Sequence, residues 1–141
     1  MKTKILFIED ERWGVSPYFR ELEKNGFECL YAKDGDEALR YLKNNMIQMI
    51  SMDISFPPGK KIGNNVSPIE AGLKLLEKIR ANQIRNCEPD ITIVILTAVQ
   101  NYEIEAKIRS LNISAYLKKP IGFGTVINQL NAIKERELKD V

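Results

Sequence analysis

Apolar positions along this chain switch between two periods. Residues 4–8 form a β-rich apolar run that stops abruptly at three acids, Glu9-Asp10-Glu11. Ser16-Pro17 predicts a helix start, because serine can cap and proline suits the first helical position. That helix runs to Asn25-Gly26, a C-terminal stop. Residues 27–32 read as a second strand. Asp34-Gly35-Asp36-Glu37 has the form of a capping box, and Ala38, Leu39, Tyr41 and Leu42 then share one helical face. Residues 46–53 predict a third strand, interrupted by Gln48 and Ser51. A loop rich in Pro, Gly, Asn and Lys covers residues 55–66, and Ser67-Pro68-Ile69-Glu70 is a second capping box. The helix it opens is predicted to end near Arg85, with Leu73, Leu76 and Ile79 on its apolar face. Residues 91–97 are a continuous β-branched run, the signature of a strand buried on both faces. A helix over 103–111, a short strand over 115–117 and a last helix over 123–138 complete the pattern.

The order is βαβαβαβαβα, which argues for an α/β fold on a parallel sheet with right-handed crossovers. Such sheets place their chemistry at the C-terminal ends of the strands. Here those ends carry Glu9-Asp10, Asp53, Thr97 and Lys118-Lys119-Pro120. Carboxylates packed together without a cation destabilise one another, and some would protonate. A hard divalent ion relieves this, and magnesium takes carboxylate, water and phosphoryl oxygens. A carboxylate beside such an ion can attack phosphorus, giving an aspartyl phosphate. The transfer needs positioning and charge neutralisation, which a hydroxyl and an ammonium supply.

Composition narrows the classes. The chain has 141 residues, enough for one domain with a real core. Its net charge is +2 with both signs dispersed, which gives no pull toward nucleic acid or anionic membrane. It has no histidine, so His-based triads, His metal ligands and a phosphohistidine within this chain are excluded. Cys29 and Cys87 are the only cysteines and do not form a disulfide framework, which fits a reducing cytoplasm. Strand-like sequence begins almost at once, without a signal-peptide pattern, and no apolar run is long enough to span a bilayer.

Phe7-Ile8-Glu9-Asp10-Glu11, Asp53 with Pro57 beyond it, Gly72-Leu73-Lys74-Leu75-Leu76, Leu96-Thr97-Ala98 and Tyr116-Leu117-Lys118-Lys119-Pro120 stand in this order along nearly the whole chain. In that set the chain resembles the CheY-like receiver domain of two-component response regulators. The resemblance implies a doubly wound, flavodoxin-like sheet of five parallel strands, order 2-1-3-4-5, with helices on both faces. It implies one receiver domain over 1–141, either standing alone or cut from a longer regulator. Asp53 matches the phosphoacceptor. Asp10 matches a direct magnesium ligand, Glu9 a ligand acting through water, and the Ser55 backbone carbonyl a further ligand beside Asp53. Thr97, with Ala98 after it, matches the phosphoryl-binding switch hydroxyl, and Tyr116 the switch aromatic. Lys119 matches the lysine before a cis proline, here Pro120. Lys118 would point to the other face of the strand.

The implied partners are a histidine kinase or phosphotransfer protein, and a downstream protein meeting the face of the fourth helix, fifth strand and fifth helix. Direct contact with nucleic acid or membrane is not implied. Two departures stand out. Glu9 replaces the commoner aspartate. The loop 55–67 is longer than usual by about ten residues, a length that closure entropy tolerates. It includes Lys60 and Lys61.

Taken singly, these residues have plainer readings. The acids fit a solvated turn, Asp53 a loop cap, Thr97 and Tyr116 ordinary strand positions, and Lys60-Lys61 a solvated pair. Trp13 fits either a binding aromatic or packing at the first helix. Two other functions compete with a phosphorylation-operated switch. One is an interaction module that keeps the fold without using phosphate. The other is a phosphohydrolase, which would place a second aspartate where Ser55 stands. A flavodoxin-like cofactor carrier fits poorly, because Glu9-Asp10-Glu11 repels phosphate.

Overall fold

A computed structural model describes residues 2–63 and 65–138; Asn64 and the charged end Lys139-Asp140-Val141 lie outside the described residues. Five strands, β1 (Thr3–Ile8), β2 (Phe27–Ala32), β3 (Met49–Met52), β4 (Thr92–Thr97) and β5 (Ala115–Lys118), form one sheet in the order β2-β1-β3-β4-β5. Every pairing is parallel. Five α-helices join or follow them: α1 (Ser16–Lys24), α2 (Gly35–Asn44), α3 (Ala71–Arg80), α4 (Tyr102–Arg109) and α5 (Phe123–Glu137). The parallel α/β sheet expected from the alternation is present, in the doubly wound, flavodoxin-like order that the resemblance implies.

Side chains alternate across the sheet and split the core in two. Leu6, Ile8, Ile50, Met52, Ile93 and Ile95 face a cluster completed by α2, α3 and α4. Ile5, Phe7, Met49, Val94 and Leu96 face a second cluster completed by α1 and α5. Burial on both faces explains why β1 and β4 read as unbroken apolar runs. The consequence for function is register: Thr97 pairs with Lys118, so Lys118 and Lys119 emerge on opposite faces beside the end of β4.

Several boundaries differ from expectation. Ser16 is not a cap; a turn of 3-10 helix, Arg12–Gly14, leads into α1, and Val15 caps it without a side-chain bond. β3 begins at Met49, because Gln48 is spent on Lys4, taking its amide on Oε1 and donating its own amide to the Lys4 carbonyl. The second capping box is present, but it closes a 3-10 turn, Pro68–Glu70, ahead of α3. α3 stops at Arg80, short of Arg85; Asn82 follows at φ 58° and ends the helix.

The loop after β3 is folded rather than slack. The Phe56 amide bonds the Pro68 carbonyl and closes its base. Its outer part lies on the N-terminus of α2, where the Gly35 amide donates to Pro57, and Ile62 is buried in the first cluster. Asp36 binds it: its carboxylate accepts the backbone amides of Lys60 at 3.1 Å and Lys61 at 3.0 Å. A side chain at Gly35 would strike the Pro58 carbonyl at 2.1 Å, so only glycine permits this approach.

Candidate functional site

The strand ends meet at the carboxyl edge of the sheet. Asp53 follows β3, with its amide bonded to the Ile8 carbonyl, so it stands beside the end of β1. Its Oδ1 accepts the Thr97 hydroxyl at 2.6 Å and the Ser55 amide at 3.2 Å. The Thr97 oxygen in turn accepts the Val99 amide at 3.1 Å, which fixes the hydroxyl's proton toward Asp53. Lys119 reaches in from the end of β5, with Nζ 3.6 Å from Asp53 Oδ2 and 2.9 Å from Glu9 Oε1. The peptide bond between Lys119 and Pro120 is cis. Lys118 turns the other way and pairs with Glu105 on α4 at 3.4 Å.

Among the described residues Glu9 is the most enclosed acid, 6% exposed. Burial, together with the neighbouring Asp53 carboxylate, pushes its pKa up to about 7 against the pull of Lys119. Burial works against the Lys119 ammonium, yet the bond to Glu9 and the field of Asp53 outweigh it, and its pKa rises. Glu9 takes the lysine through its Oε1. Gly14 keeps room for it, since a Cβ there would lie 3.1 Å from Glu9 Oε1.

Asp10 sits at the exposed rim, and its carboxylate has no hydrogen bond or ion pair among the described residues. Ser55 lies between the buried Ile54 and Phe56. Ala98 is exposed directly after Thr97. Tyr116 is half-buried on β5, with its ring turned toward the α4 side of the sheet. The structure therefore brings together Glu9, Asp53, Thr97 and Lys119. Asp10, Ser55 and Ala98 border the group, and Tyr116 lies two strand positions behind Thr97, level with Ile95.

The donor set suits a hard divalent cation. Glu9 Oε2 is buried with no hydrogen-bond partner, while Oε1 shares Lys119 with Asp53. An orphaned carboxylate oxygen beside a second carboxylate is a costly arrangement that a cation would relieve. Among the described residues no three acidic side chains form a ready cage. Oxygen ligands from water and backbone would have to complete the shell, which is magnesium's habit.

Sequence reasoning missed the Glu9–Lys119 bond, the anchoring of the loop by Asp36, and Arg109, whose guanidinium lies 4.7 Å from the Tyr116 ring centroid. The first had one available signal, the longer acid at position 9. The other two depend on how separate elements dock.

Among curated relatives, the response regulator MprA of Mycobacterium sp. (strain KMS) is 28% identical over 142 residues, covering 99% of this chain and 54% of that protein. The chain thus spans about half the length of the curated relatives it matches. Among solved structures, a CheY-like response regulator receiver domain protein from Methanospirillum hungatei JF-1 superposes with a TM-score of 0.78 at 19% identity, each chain fully covered. A response regulator from Burkholderia pseudomallei, solved with a phosphorylated aspartic acid, calcium ion and citrate, superposes with a TM-score of 0.64 at 21% identity, covering 99% of this chain and 76% of that one. The family model of the response regulator receiver domain matches residues 5–131, and the chain belongs to that family.

Proposed function

We propose that this receiver domain is a phosphorylation-operated switch whose acceptor is Asp53. The observation that carries the reading is the convergence on one carboxylate of a hydroxyl at 2.6 Å and an ammonium at 3.6 Å, from three different strands. The donor is a phosphohistidine on a histidine kinase or phosphotransfer protein. One carboxylate oxygen of Asp53 attacks phosphorus, the P–N bond breaks, and the departing imidazole keeps the electron pair and takes up a proton.

Glu9, Asp10, Asp53 and the Ser55 carbonyl would hold Mg²⁺, which supplies charge neutralisation at the phosphoryl oxygens when bound. Lys119 supplies a second positive charge, and exchanging its bond to Glu9 for a phosphoryl oxygen requires little movement. The Thr97 hydroxyl, now donating to Asp53, is placed to donate to the phosphoryl group with the Ala98 backbone beside it. Moving the Thr97 hydroxyl from Asp53 to the phosphoryl group alters what Tyr116 packs against. That shifts the population of states offered to a downstream protein by the face of α4, β5 and α5. Later attack by water releases phosphate, so the domain assists its own transfer and hydrolysis without turning over a separate substrate. Among the described residues no helix is long and apolar enough to cross a membrane, and a cytoplasmic place fits a kinase partner.

The decisive experiment is intact-mass measurement after treatment with acetyl phosphate and magnesium. Wild type is expected to gain one phosphoryl group, and Asp53→Asn none. Equal labelling of both, or labelling of neither, overturns the reading.

A further inference from the structure

Tyr116 is held in an unexpected way. Its ring is half-buried on β5 opposite Ile95, and its hydroxyl oxygen is buried with no hydrogen-bond partner. A buried, unpaired hydroxyl disfavours this placement of the ring. Something else must hold it, and α4 provides it. The Arg109 guanidinium lies over the ring at 4.7 Å from its centroid. Its Nε donates to Glu105 Oε2 at 2.9 Å, and Glu105 Oε1 pairs with Lys118 Nζ at 3.4 Å. Lys118 itself is 6.0 Å from the same ring centroid. One carboxylate thus gathers two cations from two elements, α4 and β5, around one aromatic ring.

We infer that Arg109, oriented by Glu105, is a positioning residue that clamps Tyr116 and sets how often the unphosphorylated domain visits its alternative state. The inference rests on the reading of Tyr116 as the switch aromatic. The clamp opposes the unpaired hydroxyl: cation–π attraction and the ionic bridge favour the present ring placement, and hydroxyl pairing favours another. A balance of two modest terms is easily tipped. The glutamate is mostly covered, while Arg109 and Lys118 are more than half exposed, so dissolved salt reaches the bridge. Stacking over the ring needs a flat cation, so lysine in place of Arg109 restores the charge without the full contact.

The test labels the tyrosines with 3-fluorotyrosine, assigns the Tyr116 resonance with Tyr116→Phe, and follows it by ¹⁹F NMR in unphosphorylated protein. Arg109→Gln and Glu105→Gln are expected to raise the population of the second ring environment about two- to five-fold, with Arg109→Lys falling between them and wild type. Raising salt is expected to move wild type the same way and to leave Arg109→Gln unchanged. Thermal denaturation of each variant separates loss of the clamp from loss of the fold. A Tyr116 resonance that is identical in wild type and both glutamine variants, and indifferent to salt, overturns the inference. Because the measurement uses unphosphorylated protein, it is independent of the acetyl phosphate experiment. Failure of Asp53 to accept phosphate would remove the switch reading while leaving the clamp measured on its own.

Discussion

Two carboxylates share one ammonium in the site, and the sharing is unequal. Lys119 lies nearer to Glu9 than to Asp53, and Glu9 is the more deeply buried. Removing the lysine would leave both acids facing each other with no counter-charge. Removing Glu9 would instead leave Lys119 with Asp53, a pair that remains neutral. The two substitutions are therefore expected to differ. Lys119→Met should destabilise the metal-free domain by about 3 kcal/mol, in the range seen when one partner of a buried pair is lost. Glu9→Gln should cost clearly less. Urea denaturation checks both, and added magnesium should recover part of the loss in Lys119→Met by supplying the missing positive charge. Equal losses in the two variants would mean that the lysine does not organise the acids.

At the scale of elements, the long loop behaves as part of α2. Asp36 lies in the first turn of that helix, and the Lys61 and Lys60 amides hold its carboxyl below its ordinary 3.8. In the unfolded chain the group titrates near 3.8, and in the folded protein it stays ionised to lower pH. Its contribution is therefore fully present above the unfolded value and fades as pH falls through the folded one. Because the group is close to solvent, the contribution is modest, about 1 kcal/mol. Asp36→Asn should lower the protection factors of the Lys60 and Lys61 amides at neutral pH, and acidification below 3.8 should lower those factors, taken against the intrinsic exchange rate at each pH, in wild type but not in the variant. This docking was not legible in the sequence. Asp36 reads there as one more acid in a helix's first turn, and nothing local marks the lysine amides, more than twenty residues away, as its partners. By contrast, β2 was legible to the residue and β4 nearly so. Both runs are bounded by polar breaks; β4 is buried throughout, while β2 lies at the sheet edge and is fully buried only at Phe27 and Ala32. α3 was overestimated: Ile84 is buried like a helix-face residue, yet it lies beyond the end of the helix at Arg80.

At the scale of the whole molecule, the reactive groups and a major structural tie sit at opposite poles. The chemistry gathers at the carboxyl ends of the strands, and that convergence was readable because parallel topology alone sends every strand end to one edge. At the other pole the Arg80 guanidinium is a hub. It donates to the carbonyls of Leu111 at 2.7 Å, Pro89 at 2.8 Å, Ile91 at 2.9 Å and Asn112 at 3.0 Å. It thereby joins the end of α3, the entry to β4 and the turn between α4 and β5. Sequence could not reveal this, since an arginine in a helix's last turn ordinarily answers only to the helix dipole. Arg80→Met would keep the stem's packing but strip four carbonyls of a charged donor, and water can reach only the outer ones. The expected loss is about 2–3 kcal/mol, and the transition should stay cooperative because one side chain serves three segments. The distance between poles gives the sharper expectation. Per folded molecule, Arg80→Met should accept phosphate from acetyl phosphate at the wild-type rate, even as its denaturation midpoint falls. A variant that unfolds earlier and also labels more slowly at temperatures where it is fully folded would show that the hub reaches the site through α4 and β5, and that the two poles are one mechanical unit.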